Sequence, residues 1–127
     1  MPGLPIPAFV VRYEVEGIYS GDARVEPETL RSPAIVAFAG IAKPERFFAT
    51  LEGIGIRPAK CVPFRDHHDY SKREIDNLGG DVLITTEKDA VRLGTATGRT
   101  CCYVRISAKI SDFERLFSLM MGRLPIP

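Results

Sequence analysis

Ala34-Ile35-Val36-Ala37-Phe38-Ala39-Gly40-Ile41-Ala42-Lys43-Pro44-Glu45-Arg46-Phe47-Phe48 is the stretch that decides how this chain folds. Its first six residues are apolar without a break, as expected of a strand covered on both faces. Gly40 opens a loop, and Pro44 suits the first position of a helix because a proline there gives up no hydrogen bond. Phe47, Phe48, Leu51 and Ile54 then recur at helical spacing, and Gly55 is placed to cap the end. Strand, loop and helix follow one another within about twenty residues. That is one unit of an α/β fold.

The same rhythm continues downstream. Ala59 to Pro63 reads as a strand, Phe64 to Tyr70 as a loop, and Ser71-Lys72-Arg73-Glu74 as a capping box opening a short helix through Leu78. Gly79-Gly80 ends that helix, and Asp81 to Thr85 is a third strand. Thr86-Glu87-Lys88-Asp89 starts a helix carrying Ala90, Val91 and Leu93. Cys101 to Ile106 is a fourth strand, and Ser111-Asp112-Phe113-Glu114 opens a last helix lined by Leu116, Phe117 and Met120. Upstream, Val11, Tyr13 and Val15 alternate with Arg12, Glu14 and Glu16, and Ser20-Gly21-Asp22 turns the chain into a second short strand, Ala23 to Glu26. The expected fold is α/β: a small parallel β-sheet flanked by helices, four β-α units, preceded by a two-stranded β-ribbon. Residues 1–33 form a tail and ribbon linker, and residues 34–127 form the α/β domain.

Composition restricts the function. The chain has 127 residues, 45% hydrophobic and 26% charged, with a net charge of +1. That is an ordinary globular composition with no basic field to attract nucleic acid, so no nucleic-acid partner is expected. Cys61, Cys101 and Cys102 sit in apolar, strand-like runs, have no C-x-x-C spacing and make an odd count. They are expected in the core as small hydrophobes, in a reducing, cytoplasmic setting. No run approaches the ~18 apolar residues of a membrane span.

In an open parallel sheet, ligands gather beyond the carboxyl ends of the strands. The loops expected there are Gly40 to Lys43, Phe64 to Tyr70, and Thr85 to Asp89, and they hold most of the polar residues of interest. Asp66-His67-His68-Asp69 places both histidines of the chain between carboxylates. Imidazole can carry protons near neutrality and can bind metal; equally, these can be solvated loop residues beside a helix cap. Glu87, Lys88 and Asp89 stand at a helix start where a phosphate could be held, or where they simply cap and pair. Neither G-x-G-x-x-G nor G-x-x-x-x-G-K-[ST] occurs, so the chain contains no dinucleotide fingerprint and no Walker A loop.

Three blocks, in order, resemble one family. Val36 to Phe48 is similar to the "AGI-x-x-PERFF" segment of the tetraacyldisaccharide 4′-kinases; Phe64-Arg65-Asp66-His67-His68-Asp69-Tyr70 is similar to their "F-x-DHH-x-[YF]" loop; Thr85 to Leu93 is similar to "TEKDAVK". Lys43, in place of an expected Asn, and Arg92, in place of Lys, depart from the pattern. The resemblance implies an ATP- and Mg²⁺-dependent kinase acting on the 4′-position of the lipid A disaccharide 1-phosphate precursor at the inner-membrane surface. It also implies that the nucleotide and metal are held by a separate P-loop domain, joined by the ribbon to a smaller α/β domain. Only the ribbon and smaller domain are matched here. The implied supporting catalytic residues are His67 and Asp66, facing the cleft between domains; His68, Lys88, Glu87 and Asp89 would contact substrate or nucleotide, and no metal ligand is implied. Alone, the chain is expected to be inactive.

Two other readings stand beside this one. A stand-alone binding domain or the half of a split kinase would account for the missing Walker A loop. A Mn²⁺-dependent DHH-type phosphoesterase would account for Asp66-His67-His68, but it needs further Asp and His ligands, and the chain has no third histidine.

Overall fold

The computed structural model describes residues 11–31, 33–94 and 100–110. Contacts divide the chain into a central unit, residues 16–105, and a second unit made of both ends, residues 1–15 and 106–127. Of the second unit, only the outer parts of the first and last strands are described. The site discussed below lies within the central unit.

The described strands are β1 (Val11–Ser20), β2 (Ala23–Val25), β3 (Ile35–Ala39), β4 (Lys60–Pro63), β5 (Val82–Thr86) and β6 (Thr100–Ile110). Between them lie α1 (Pro44–Gly53), α2 (Lys72–Asn77) and α3 (Glu87–Leu93), with a turn of 3₁₀-helix at Pro27–Leu30 that periodicity did not foretell. All six strands belong to one sheet, in the order β2-β1-β6-β5-β3-β4. β3 pairs in parallel with both β4 and β5, and β5 in parallel with β6. The parallel α/β core is therefore as expected.

β1 and β2 pair antiparallel, Ile18 opposite Val25, as the expected ribbon, and they continue the sheet beside β6. β1 also runs four residues beyond the alternating pattern. Gly17 breaks that alternation, but Ile18 is buried and the pairing with β2 carries the strand on to Ser20. The helix expected from Ser111 lies outside the described residues.

Local rules explain where the helices begin and end. α1 closes as a Schellman turn: the Gly55 amide donates to the Glu52 carbonyl at 3.0 Å and the Ile56 amide to Leu51 at 2.9 Å. Gly55 has φ +85°, which glycine adopts at no steric cost. Buried Leu51 and Ile56 are at the positions whose apolar contact accompanies that motif. α2 opens on the full capping box, with Glu74 N–H donating to Ser71 Oγ at 3.1 Å and Ser71 N–H to Glu74 Oε1 at 3.0 Å.

β3 is buried along its whole length. On one face Val36 and Phe38 pack with Ile75, Leu78, Leu83 and Leu93; α1 packs against β3 and β4 and buries Phe47 and Leu51. The buried Thr85 hydroxyl donates to the Phe38 carbonyl at 2.7 Å, so its polarity is satisfied inside the sheet. Cysteine placement corrects one expectation: Cys102 is buried and Cys101 partly so, but Cys61 is exposed. β4 is the last strand of the sheet, and three of its four residues face solvent.

Candidate functional site

The loops after β3, β4 and β5 do meet, and the residue that joins them is Asp89. It is fully buried, and every contact recorded for its carboxylate is with a donor. Oδ2 accepts from the Gly40 amide at 3.1 Å and from Thr86 Oγ1 at 2.6 Å; Oδ1 accepts from the Tyr70 hydroxyl at 2.9 Å. One carboxylate thus ties together all three strand-end loops. The Asp89 amide also donates to Thr86 Oγ1 at 3.1 Å, which starts α3. The acid of the Thr-x-x-acid start does not reach back to the cap backbone. It turns inward.

Gly40 must be glycine because of crowding, not because of its backbone angle. A Cβ there would lie 2.7 Å from the Tyr70 hydroxyl, 3.1 Å from the Arg65 carbonyl and 3.2 Å from Asp89 Oδ1. Burial, and then the bond to Asp89, push the Tyr70 phenol well above its ordinary pKa, so it remains a donor at any working pH.

The Phe64–Tyr70 loop is held by its own rings. Phe64 and Tyr70 meet edge to face at 5.1 Å, and Tyr70 meets Phe38 at 5.3 Å. His68 stacks on Phe64 at 4.8 Å and places Nε2 2.8 Å from Glu74 Oε2. Glu74 is held below the ordinary glutamate pKa, first by the Ser71 amide and then by His68. His68 is therefore turned back onto α2.

His67 points the other way. Its amide donates to the Gly40 carbonyl at 3.1 Å, and its backbone is the only described non-glycine with positive φ, at +59°. Its side chain is 77% exposed. Nδ1 contacts the Arg92 guanidinium, one turn beyond Asp89 on α3, and Nε2 lies 3.8 Å from Asp66 Oδ1. Adjacent histidines thus do different work: His68 fixes the loop, and His67 with Asp66 is presented at the rim.

The remaining expected residues separate. Lys88 is exposed in the first turn of α3. Glu87 forms an ion pair with Arg105, both guanidinium contacts at 3.0 Å, and Arg105 in turn lies over the Tyr19 ring, 4.6 Å from its centroid. Sequence reading missed Gly40 and Arg92 as partners of the loop, and the bond from Tyr70 to Asp89. For Arg92 a signal existed, since Asp89 and Arg92 are three apart and share a helix face. A surface groove of about 600 Å³, lined by Phe48, Glu52, Ile56, Arg57 and Cys61 among others, lies along α1 and β4 and includes none of these residues.

A family model described as tetraacyldisaccharide-1-P 4′-kinase matches residues 5–124. The chain belongs to this family. Among its curated relatives, the tetraacyldisaccharide 4′-kinase of Bordetella petrii is 32% identical over 127 residues, spanning 86% of this chain and 36% of that protein. That of Gluconobacter oxydans is 43% identical across 60% of the chain and 26% of its own length. That of Rhodopseudomonas palustris is 52% identical across 53% and 22%. A crystal structure of LpxK from Aquifex aeolicus in complex with ATP superposes with a TM-score of 0.59 at 22% identity, over 91% of this chain and 36% of that one. The chain thus spans between a fifth and two-fifths of the 4′-kinases it matches.

Proposed function

We propose that this chain supplies one wall of a tetraacyldisaccharide 4′-kinase site, with residues 34–127 as the smaller domain and residues 1–33 as tail and linking ribbon. The reaction would be ATP-dependent phosphorylation of the 4′-position of the lipid A disaccharide 1-phosphate precursor. The observation that carries the reading is the rim itself: the family's three blocks converge on Asp89, and His67 and Asp66 stand exposed on the resulting platform.

The chain's own residues do not fit ATP and Mg²⁺. Its sequence has no Walker A loop, and among the described residues no three His, Cys, Asp or Glu side chains gather as a metal site would require. In phosphoryl transfer the phosphate cradle and metal provide most of the charge stabilisation. Those parts belong to a P-loop domain, in the same polypeptide or a separate one. The role left to this rim is to orient and steady charge when the two halves close. His67 and Asp66 carry that role; Lys88 is placed to meet an anionic group of nucleotide or substrate. Glu87 and His68, engaged with Arg105 and Glu74, shape the rim. Among the described residues no helix is long and apolar enough to cross a membrane. The proposed setting is the cytoplasmic face of the inner membrane, reached through the complete enzyme.

A 4′-kinase assay on the purified chain tests this. No turnover is expected from the chain alone, and turnover is expected when a relative's P-loop domain is added. Transfer by the chain alone would overturn the proposal; so would no gain when the two parts bind each other.

A further inference from the structure

The contact between Arg92 and His67 specifies more than proximity. A guanidinium stays protonated at any relevant pH and has donors but no acceptor. When it meets His67 Nδ1, that nitrogen must be the acceptor, so the ring's proton is on Nε2. The second nitrogen agrees: Nε2 faces Asp66 Oδ1 at 3.8 Å, where an N–H is favoured over a lone pair. The His67 amide is tied to the Gly40 carbonyl, whose own amide is tied to Asp89. α3 therefore grips the loop twice from one face, Asp89 through the Gly40 peptide and Arg92 through the imidazole.

We propose that Arg92 is a positioning residue that locks His67 in the neutral Nε2–H tautomer, so that the rim offers a hydrogen-bond donor rather than a proton acceptor. The tautomer stands on the geometry of this chain alone. Its consequence rests on the kinase reading: His67 steadies a carboxylate or phosphoryl oxygen brought by the opposing domain, and does not itself deprotonate the sugar hydroxyl. Its Nδ1 lone pair is occupied by Arg92, and its Nε2 has no lone pair to give. The guanidinium is a planar, directional donor suited to this task.

Long-range ¹H–¹⁵N correlation of the imidazoles in the isotopically labelled 127-residue chain tests the lock. The spectra are recorded in the alkaline range, where an imidazole carries one ring proton. The expected result is a His67 ring almost wholly in the Nε2–H form, with Nδ1 in the unprotonated shift range. Arg92→Ala should return it to the tautomer mixture of a free histidine, and Arg92→Lys should restore the bias in part. The His68 ring, paired with Glu74 on α2, should be unmoved throughout and reports that the loop remains folded. An Nδ1–H form of His67 in the unaltered chain would overturn the inference by itself, whatever the variants do. So would an unchanged His67 tautomer in folded Arg92→Ala. Either failure would leave the kinase reading intact, because that reading is judged by phosphoryl transfer and not by ring protonation.

Discussion

Tyr70, Gly40 and Thr86 bring three separate parts of the chain to one buried carboxylate, and each can be tested separately. Tyr70→Phe removes the hydroxyl that Asp89 Oδ1 accepts and leaves that oxygen buried without a recorded partner. A hydrogen bond to a charged group is worth ~1.5–3 kcal/mol, so urea unfolding should show a loss of that order. Gly40→Ala should cost ~1–3 kcal/mol by overpacking, because the new methyl meets a packed hydroxyl and a backbone carbonyl. An unchanged midpoint in Tyr70→Phe would show that Asp89 does not hold the rim through that hydroxyl, and one in Gly40→Ala that the crowding around Gly40 is absent. The inward turn of Asp89 was not legible in the sequence. Thr-x-x-Asp at a helix start reads as a cap at the surface, and the amide that draws this side chain in belongs to Gly40, forty-nine positions earlier. The divergence of His67 and His68 was more accessible, since neighbouring side chains in a loop seldom face one target. Which of them turned inward depended on Phe64 and Glu74 as partners.

At the scale of elements, most of what the sequence offers is local, and most of it appears in the structure. Pro44, the Gly55 Schellman turn and the Ser71–Glu74 box all sit where periodicity and capping chemistry put them. Ser71→Ala should therefore cost α2 ~1 kcal/mol, measured by thermal or urea unfolding. Glu74 adds a pH dependence of known sign. Its folded-state pKa lies below the unfolded value, so its contribution is complete above the ordinary glutamate pKa of ~4.3 and fades as pH falls through that range toward the folded value. Glu74→Gln should flatten the stability profile in that acidic window; an unaltered profile there would contradict the cap's role. Two features were not local and were missed. Cys61 reads as a core residue because its strand is apolar, but strand order, not strand composition, makes β4 an edge. The ribbon's pairing beside β6 likewise depends on a partner some eighty residues away, which alternation cannot reveal.

For the molecule as a whole, the parallel α/β core could be read from one run, Ala34 to Phe48, because β-α rhythm and right-handed crossover leave few alternatives. The rim could be anticipated as well, since strand-end loops of such sheets face one way. What remained hidden is how the rim is completed, because the chain spans only part of the 4′-kinases it matches. The central claim is that His67 on this rim serves phosphoryl transfer performed jointly with a P-loop domain. The most direct measurement replaces the matching segment of the Rhodopseudomonas palustris relative with this chain and follows ATP-dependent 4′-phosphorylation, with and without His67→Ala. An active chimera is expected, whose kcat falls about a hundredfold on that substitution while KM changes little, the order seen when a charge-stabilising donor is removed. An active chimera that keeps its kcat without His67 would contradict that claim.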